Sequence, residues 1–365
     1  MEGGAPRRVL MLASRFRMPY RVLRCAAAGG AETHVLGAAG SRGLARSRFC
    51  KSHTVSRSPI NGQFDRRLAE EIDRLAAARS IDLVFAGDAD ATRSLISIAQ
   101  LLDTPCFPMP SLALFDLLND KWRFGGLCAE LGLPTPKTQL FDDRRALGEA
   151  LRVGRARPPL IAKPTSMDGG DGCITIRSPD EIARALGRIG YSPVVVQDYV
   201  DGDDIGASIL CRGGCIEAFV AHRYQRAIYE TWSDPAILAD LGRLAVRLSL
   251  NGVYNFDMRR TPDGRVIYLE CNPRFFFKMP MSMLAGIDFF ALGLGPPRNE
   301  PALPTPARIA FPGALLTLAR APWRVASGRD RLGWSGVALL AKDPLPYLCE
   351  KIGLEPDRRP RRAET

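Results

Sequence analysis

The sequence predicts an α/β protein that opens with a small parallel sheet and continues into antiparallel strand pairs with interspersed helices. Three observations carry this. Apolar runs at 7–12 and 33–38 alternate with helical-looking segments, and "SIDLVFAGDADATRSLISIAQLL" (80–102) reads as strand, polar turn and helix, the alternation of a parallel sheet. Later apolar runs are joined by Arg212-Gly213-Gly214 and by Asp263-Gly264, residues that suit hairpin turns. Finally, a chain of 365 residues, 46% hydrophobic and 24% charged, is long enough for roughly two or three domains with large cores and ordinary for a globular protein.

Taken in order, "MEGGAPRRVLMLASRF" places two arginines before only five apolar residues, too few for a signal-peptide core or a membrane span, so it reads as the first strand. The longest uncharged apolar stretch, Ile309 to Ala319, is eleven residues and is broken by Pro312, which predicts no transmembrane helix. The turn after the first strand, "LASRFRMPYR", has no GxGxxG. Residues 1–110 are therefore expected to form a Rossmann-like domain that binds no NAD. The prolines of "DTPCFPMPS" (103–111) mark a boundary. Asn119 or Asp120 can then cap a helix that "LGLPTP" stops at Gly132. "PPLIAKPTSMDGGDGCITI" (158–176) reads as strand, glycine-bearing loop and strand, and "PVVVQDYVDGDDIGASILCRGGCIEAFVAHR" (193–223) as strand, turn and two further strands. A helix from about Pro235 to Leu250 precedes the pair "GVYNFDMRRTPDGRVIYLECNPR" (252–274), and the chain from about Pro296 is proline-rich, then moderately helical.

Nine cysteines show neither CxxC nor Cys/His spacing. They read as reduced thiols of a cytoplasmic protein without a zinc site. The net charge of +11 is concentrated in part in "PDRRPRRAET", with Arg358, Arg359, Arg361 and Arg362. Such a tail is either a solvated end or a weak contact for an anionic membrane surface. Basic and aromatic residues do not interleave along the chain, so no nucleic-acid partner is expected.

Chemistry concentrates in "VIYLECNPRFFFK" (266–278), where Glu270, Asn272 and Arg274 alternate and would project from one face of a strand. Buried charges need compensation. Either Glu270 and Arg274 pair with each other, or their face looks at another polar partner. Asp257 lies on the preceding hairpin strand. Lys163 stands mid-strand between apolar neighbours, and Lys121 stands near a helix start, where the helix dipole disfavours a cation. Both lysines make sense beside phosphate.

Lys121 before "LGLPTP", Lys163 before "TSMDGGDGC", "QDYVDGDD" (197–204) and "ECNPR" (270–274) resemble, in order and spacing, the motifs of the ATP-grasp superfamily. The likeness, with the domain in front, covers about four fifths of the chain. It implies an N-terminal Rossmann-like pre-ATP-grasp domain (1–110) followed by a two-part ATP-grasp fold. Its central lid subdomain would span 111–200 and its C-terminal subdomain, with the metal site, 201–295; a C-terminal extension with the basic tail would follow at 296–365. The resemblance implies ATP held by Lys121, Lys163, Ser166, Gly169, Gly170 and Gly172, with the adenine at Gln197, Asp198, Tyr199 and Val200 and the ribose at Asp204. Mg2+, as two ions and replaceable by Mn2+, would be bound by Asp257, Glu270 and Asn272, whose oxygens suit a hard cation shared with phosphates. Arg274 would be catalytic, clamping phosphate oxygens and stabilising the charge that develops in phosphoryl transfer. Arg223, Arg226 and Lys278 would face the acyl substrate.

Three departures stand out. Gln197 replaces a glutamate, Asp168 and Asp171 bring negative charge to the loop over the phosphates, and "FFFK" follows Arg274 where small residues are usual, giving a bulky acceptor pocket. The implied activity is that of an ATP-dependent carboxylate–amine ligase. A small-molecule carboxylate would become an acyl phosphate, an amine or other nucleophile would displace phosphate, and ADP would be left. A homodimer is compatible with this. An ATP-grasp kinase acting on a hydroxyl, or a nucleotide-binding scaffold with a closed acceptor site, are the alternatives. Retention of Asp257, Glu270, Asn272 and Arg274 speaks against the scaffold.

Overall fold

The computed structural model describes residues 7–166, 170–225, 228–310 and 335–352. Gly169, Asp168, Arg226 and the arginines of the basic tail lie outside these residues. The chain begins with β1 (Arg8–Ala13), α1 (Arg17–Ala28), β2 (Glu32–Gly37), β3 (Cys50–Val55), α2 (Arg66–Arg79), β4 (Leu83–Ala86) and α3 (Ala89–Ile98). These strands form a parallel sheet in the order β3-β2-β1-β4. Val9 to Ala13 and Leu83 to Ala86 are buried without alternation, as in a parallel strand covered on both faces.

The strand order reverses between β1 and β4, the place where open α/β sheets usually bind ligands. Here Asp88 stands in it. Its carboxylate accepts from Ser14 N at 2.8 Å, Ser14 Oγ at 2.7 Å, Arg15 N at 3.2 Å and Ala91 N at 3.0 Å. The backbone donors beyond β1 are thus used inside the protein by an N-cap carboxylate.

The chain continues through α4 (Leu112–Asn119), α5 (Lys121–Glu130), β5 (Thr138–Phe141), α6 (Arg144–Arg152), β6 (Leu160–Pro164), β7 (Ile174–Ile176), α7 (Ile182–Arg188) and β8 (Val194–Asp198). Asp120 caps α5 by accepting from Trp122 N and Arg123 N at 2.9 and 3.0 Å. Gly132, at φ 67°, ends that helix in a conformation that glycine adopts without steric cost. There follow β9 (Asp203–Arg212), β10 (Cys215–Gln225), β11 (Ile228–Trp232), α8 (Pro235–Leu248), β12 (Gly252–Arg260) and β13 (Val266–Asn272). Last come α9 (Met279–Leu284), α10 (Phe289–Leu294), β14 (Ala307–Ala310), α11 (Ser335–Ala341) and α12 (Pro344–Lys351).

Two compact units interleave along this chain. The first comprises Met1–Leu112, Ser208–Tyr254 and Arg274–Thr365, and the second Ala113–Ala207 and Asn255–Pro273. In the first unit, the parallel sheet is accompanied by antiparallel β10, β11 and β14. Its core stacks Phe85, Phe107, Phe275 and Phe290 with ring centroids 4.8 to 6.3 Å apart. In the second unit, an antiparallel sheet of order β5-β8-β6-β7 covers α6 and α7 through Leu147, Ala150, Ala185 and Val194. The same unit holds the β12–β13 hairpin.

All nine cysteines are free. Among the described residues no helix is long and apolar enough to cross a membrane.

Candidate active site

The β12–β13 hairpin turns at Asp263-Gly264, with Gly264 at φ 87°. Its register sets Asp257 opposite Glu270 and Asn255 opposite Asn272. It then shifts, so that Met258 faces Tyr268 and Leu269 is the extra residue of a bulge. Asn255 Nδ2 donates to Asp257 Oδ1 and Asn272 Nδ2 to Asp257 Oδ2, each at 3.2 Å. The result is an oxygen-rich group of two carboxylates and two carboxamides. Asn255 escaped the sequence reading, although its place two residues before Asp257 in a strand puts it on the same face.

Two lysines meet this group. Lys121, the first residue of α5, sets its Nζ 3.3 Å from Glu270 Oε2. Its backbone N–H donates to Thr165 O at 2.9 Å, tying the helix start to the loop after β6. Lys163, on β6, is 5% exposed, as is Lys121. Burial lowers the pKa of Lys163, and Glu270 only partly restores it. Burial pushes Glu270 up, but Lys121, Lys163 and hydrogen bonds with Asp257 and Lys121 outweigh it, and the net shift is downward.

Two lysines and two carboxylates thus stand together, with both lysines buried. Among the described residues no group of three or more His, Cys, Asp and Glu side chains is placed to hold a metal. Asp257 and Glu270 with the two amides suit a hard cation that takes its remaining ligands from phosphates and water, and do not suit a closed protein cage.

The β6–β7 loop comes after Lys163. Ser166 stands at its start, and Gly170 and Gly172 have φ of 77° and 74°. A Cβ on Gly170 would meet nothing within 4 Å, whereas one on Gly172 would press on Tyr191 at 3.1 Å and Pro164 at 3.2 Å. Of the two described loop glycines, Gly172 is thus the one fixed by close packing, and Tyr191 OH donates to its carbonyl at 2.7 Å.

At the end of β8, Gln197 is buried and donates from Nε2 to Thr138 Oγ1 at 3.3 Å. Asp198 N donates to Lys137 O at 3.0 Å and Tyr199 N to Pro159 O at 3.1 Å. Arg259 organises residues 199–204. It donates to Asp204 Oδ1 at 2.8 Å, to Val200 O at 2.7 Å and to Tyr199 OH at 3.3 Å. Tyr199 also has the guanidinium groups of Arg177 and Arg259 over its ring, at 5.2 and 5.4 Å. Asp204 is therefore held by an arginine that no sequence motif announced.

The remaining candidates belong to the first unit. β13 ends at Asn272, since Pro273 has no N–H for the ladder, so the strand itself does not include Arg274. Arg274 is buried and donates to Phe275 O at 3.2 Å. Phe275 and Phe276 turn into the core, leaving Phe277 and Lys278 partly exposed. The four-residue run therefore does not line a pocket as a whole. Lys278 lies 4.8 Å from the centroid of Tyr224. Arg223 pairs with Glu230 at 2.5 Å, and Arg308 shares the same carboxylate at 2.8 Å. His222 stacks on Tyr229 and Phe276 at 5.2 and 6.1 Å, a structural placement.

The family model described as "ATP-grasp in the biosynthetic pathway with Ter operon" matches residues 191–309, which include β12 and β13 with their carboxylates. Residues 191–309 are thus similar to the ATP-grasp family. The chain is 27% identical over 178 residues to the carbamoyl phosphate synthase large chain of Deinococcus radiodurans, covering 43% of itself and 17% of that protein. It is 39% identical over 171 residues to the formate-dependent phosphoribosylglycinamide formyltransferase of Bordetella parapertussis, covering 40% of itself and 42% of that protein. It thus spans less than half the length of either relative. Among solved structures, the biotin carboxylase domain dimer of Hydrogenobacter thermophilus 2-oxoglutarate carboxylase, in complex with MgADP, ADP and bicarbonate, superposes with a TM-score of 0.62 at 16% identity, covering 82% of this chain and 72% of that one. That likeness supports the fold of a Rossmann-like domain joined to a two-part ATP-grasp.

Proposed function

We propose that this protein is an ATP-grasp, ATP-dependent ligase that activates a small-molecule carboxylate as an acyl phosphate for attack by an amine or another nucleophile, releasing ADP and phosphate. The observation that carries the nucleotide half is the pair of buried lysines, Lys121 and Lys163, gathered with Asp257 and Glu270. A polyphosphate is an anion suited to two such ammonium groups. Lys121 and Lys163 would bind and orient its oxygens, and the loop with Ser166, Gly169, Gly170 and Gly172 would cover it. Glu270, Asp257 and Asn272, with Asn255 holding Asp257, would hold Mg2+, which when bound neutralises phosphate charge as it shifts. Two ions, with Mn2+ able to substitute, would be the fuller form of this proposal.

Gln197 to Val200 would receive the adenine and Asp204, steadied by Arg259, the ribose. Arg274 would stabilise charge on the transferring phosphoryl group. Arg223 would serve a carboxylate only by sharing its guanidinium with Glu230, so the excess positive charge of the Arg223–Glu230–Arg308 group is the attractive feature. The sequence-based division at 110, 200 and 295, a cytoplasmic setting and a homodimer belong to the same proposal.

The test uses pooled carboxylates with ATP, Mg2+ and hydroxylamine. A ligase forms a hydroxamate in step with ADP, because an acyl phosphate is an electrophile. ADP accompanied by a phosphorylated alcohol and no hydroxamate would replace this reading with a kinase.

A further inference from the structure

Far along the chain from the nucleotide residues, but within the first unit, α1 carries Arg17, Arg21 and Arg24. The spacing of four and three residues places them on one helix face. Arg21 and Arg24 are 5% and 4% exposed. Two of these guanidinium groups share a single aromatic ring: Arg17 lies 5.0 Å and Arg21 4.8 Å from the centroid of Phe277. Arg21 and Arg24 each lie 5.3 Å from the centroid of Tyr20. Such contacts strengthen when desolvated, but a ring offers no acceptor for the N–H donors of a buried guanidinium.

Among the described residues, Glu350 is the carboxylate paired with Arg17 and Arg21, while Asp343 acts on Arg24 by charge without a hydrogen bond to it. Glu350 on α12 sets Oε1 3.0 Å from Arg17 Nε and Oε2 3.3 Å from Arg21 Nη2. The nearby Asp343 is engaged elsewhere, accepting from Ser47 Oγ at 2.6 Å and Arg48 N at 3.1 Å. Three buried nitrogens, Arg21 Nε, Arg24 Nε and Arg24 Nη2, have no hydrogen-bond partner among the described residues. An arginine buried in this way is expensive unless its donors are met. Burial accordingly lowers the pKa of both Arg21 and Arg24.

We propose that Arg17, Arg21, Arg24 and Phe277 form a binding site for a small dicarboxylate, in which Glu350 is an internal stand-in for one of the ligand's two carboxylates. One carboxylate of the ligand replaces that of Glu350 between Arg17 and Arg21, where each oxygen already has its own guanidinium. The second reaches Arg24, whose donors Glu350 leaves unmet. A tethered side chain competes at a high effective concentration, so the site binds its ligand weakly until α12 yields. The inference is independent of the ligase reading, because it concerns equilibrium binding without ATP.

The experiment is calorimetric titration of the full-length protein and of Glu350→Gln with succinate, acetate and inorganic phosphate. Removing the competitor should tighten succinate binding about tenfold or more, with acetate much weaker because it cannot reach Arg24. In the Glu350→Gln background, Arg17→Gln should reverse most of the gain; Arg17 is half exposed, so its replacement leaves the core intact. The same Arg17→Gln change in the otherwise unaltered chain should weaken succinate binding several-fold, which keeps the test open should Glu350→Gln fail to fold. Equal succinate affinity with and without Glu350, accompanied only by a lower melting temperature, would make Glu350 a strut and overturn the proposal. Preference for phosphate over succinate would overturn the dicarboxylate assignment.

Discussion

Asp88 and Glu270 are both deeply buried carboxylates, and burial alone drives both toward the neutral acid. Their outcomes differ. Asp88, in the first unit, meets backbone amides and a serine hydroxyl. These donors satisfy its oxygens, yet burial still leaves its pKa raised. Glu270, in the second unit, meets the ammonium groups of Lys121 and Lys163, and its pKa is lowered in spite of burial. Backbone amides are fixed by the fold and have no other role to play. Ammonium groups on long stems can turn to a ligand, so under the proposed function the Glu270 site is the one that charge enters. Under that proposal, the contrast separates a structural use of a buried acid from a functional one.

The sharpest way to break the comparison is to treat both acids alike. Glu270→Gln keeps shape and removes charge, and turnover should fall by about 100-fold or more, as for loss of one preorganised electrostatic group; near-normal turnover measured as ADP release would make Glu270 structural too. Asp88→Ala should do the reverse. Leaving Ser14, Arg15 and Ala91 donors unmet should cost about 2–3 kcal/mol in denaturant unfolding, while turnover per folded molecule stays unchanged. A smaller effect is expected at Asn255, whose amide only holds Asp257. Asn255→Ala should raise the Mg2+ concentration needed for half-maximal turnover about tenfold, the usual cost of losing a partner that orients a metal ligand.

The smallest effect, and the one that sharpens the comparison most, is the sign of the pH dependence. The folded pKa of Glu270 lies below its unfolded value, so its contribution to stability is present above the unfolded pKa and is lost as pH falls through the folded one. That of Asp88 lies above, so its contribution is complete below the unfolded pKa and is lost as pH rises through the folded one. Unfolding of Glu270→Gln and Asp88→Asn across acid pH should therefore show stability differences from the parent chain of opposite slope. Parallel slopes would mean that the two carboxylates share one electrostatic situation.

Much of this was legible in the sequence. The Asp263-Gly264 turn and the period of two fixed the β12–β13 hairpin, and with it the approach of Asp257, Glu270 and Asn272, while Lys121 and Lys163 stood out because apolar or helix-start positions are poor places for an ammonium. What stayed hidden had physical reasons. The bulge at Leu269 leaves no mark in a period-two pattern. Arg259 beside Arg260 reads as a solvated turn, and nothing local reveals that it grips Asp204 and Val200. An aromatic run such as Phe275-Phe276-Phe277 suits a core and a pocket equally, and only the packing on Phe85, Phe107 and Phe289 decides. Glu350 meets Arg21 across more than three hundred residues of chain, a contact that composition and spacing cannot encode.

The central claim of the proposed function is that the buried ammonium of Lys163 binds the phosphates of a nucleotide. The most direct measurement is the rise in melting temperature produced by MgATP in the parent chain and in Lys163→Met, which removes the ammonium but keeps a stem of similar length. The parent should be stabilised as a ligand-binding protein is, by about 2.7 kcal/mol at a hundredfold excess over the dissociation constant, and Lys163→Met should lose most of that gain while being no less stable without ligand. An equal MgATP shift in both proteins would contradict the account.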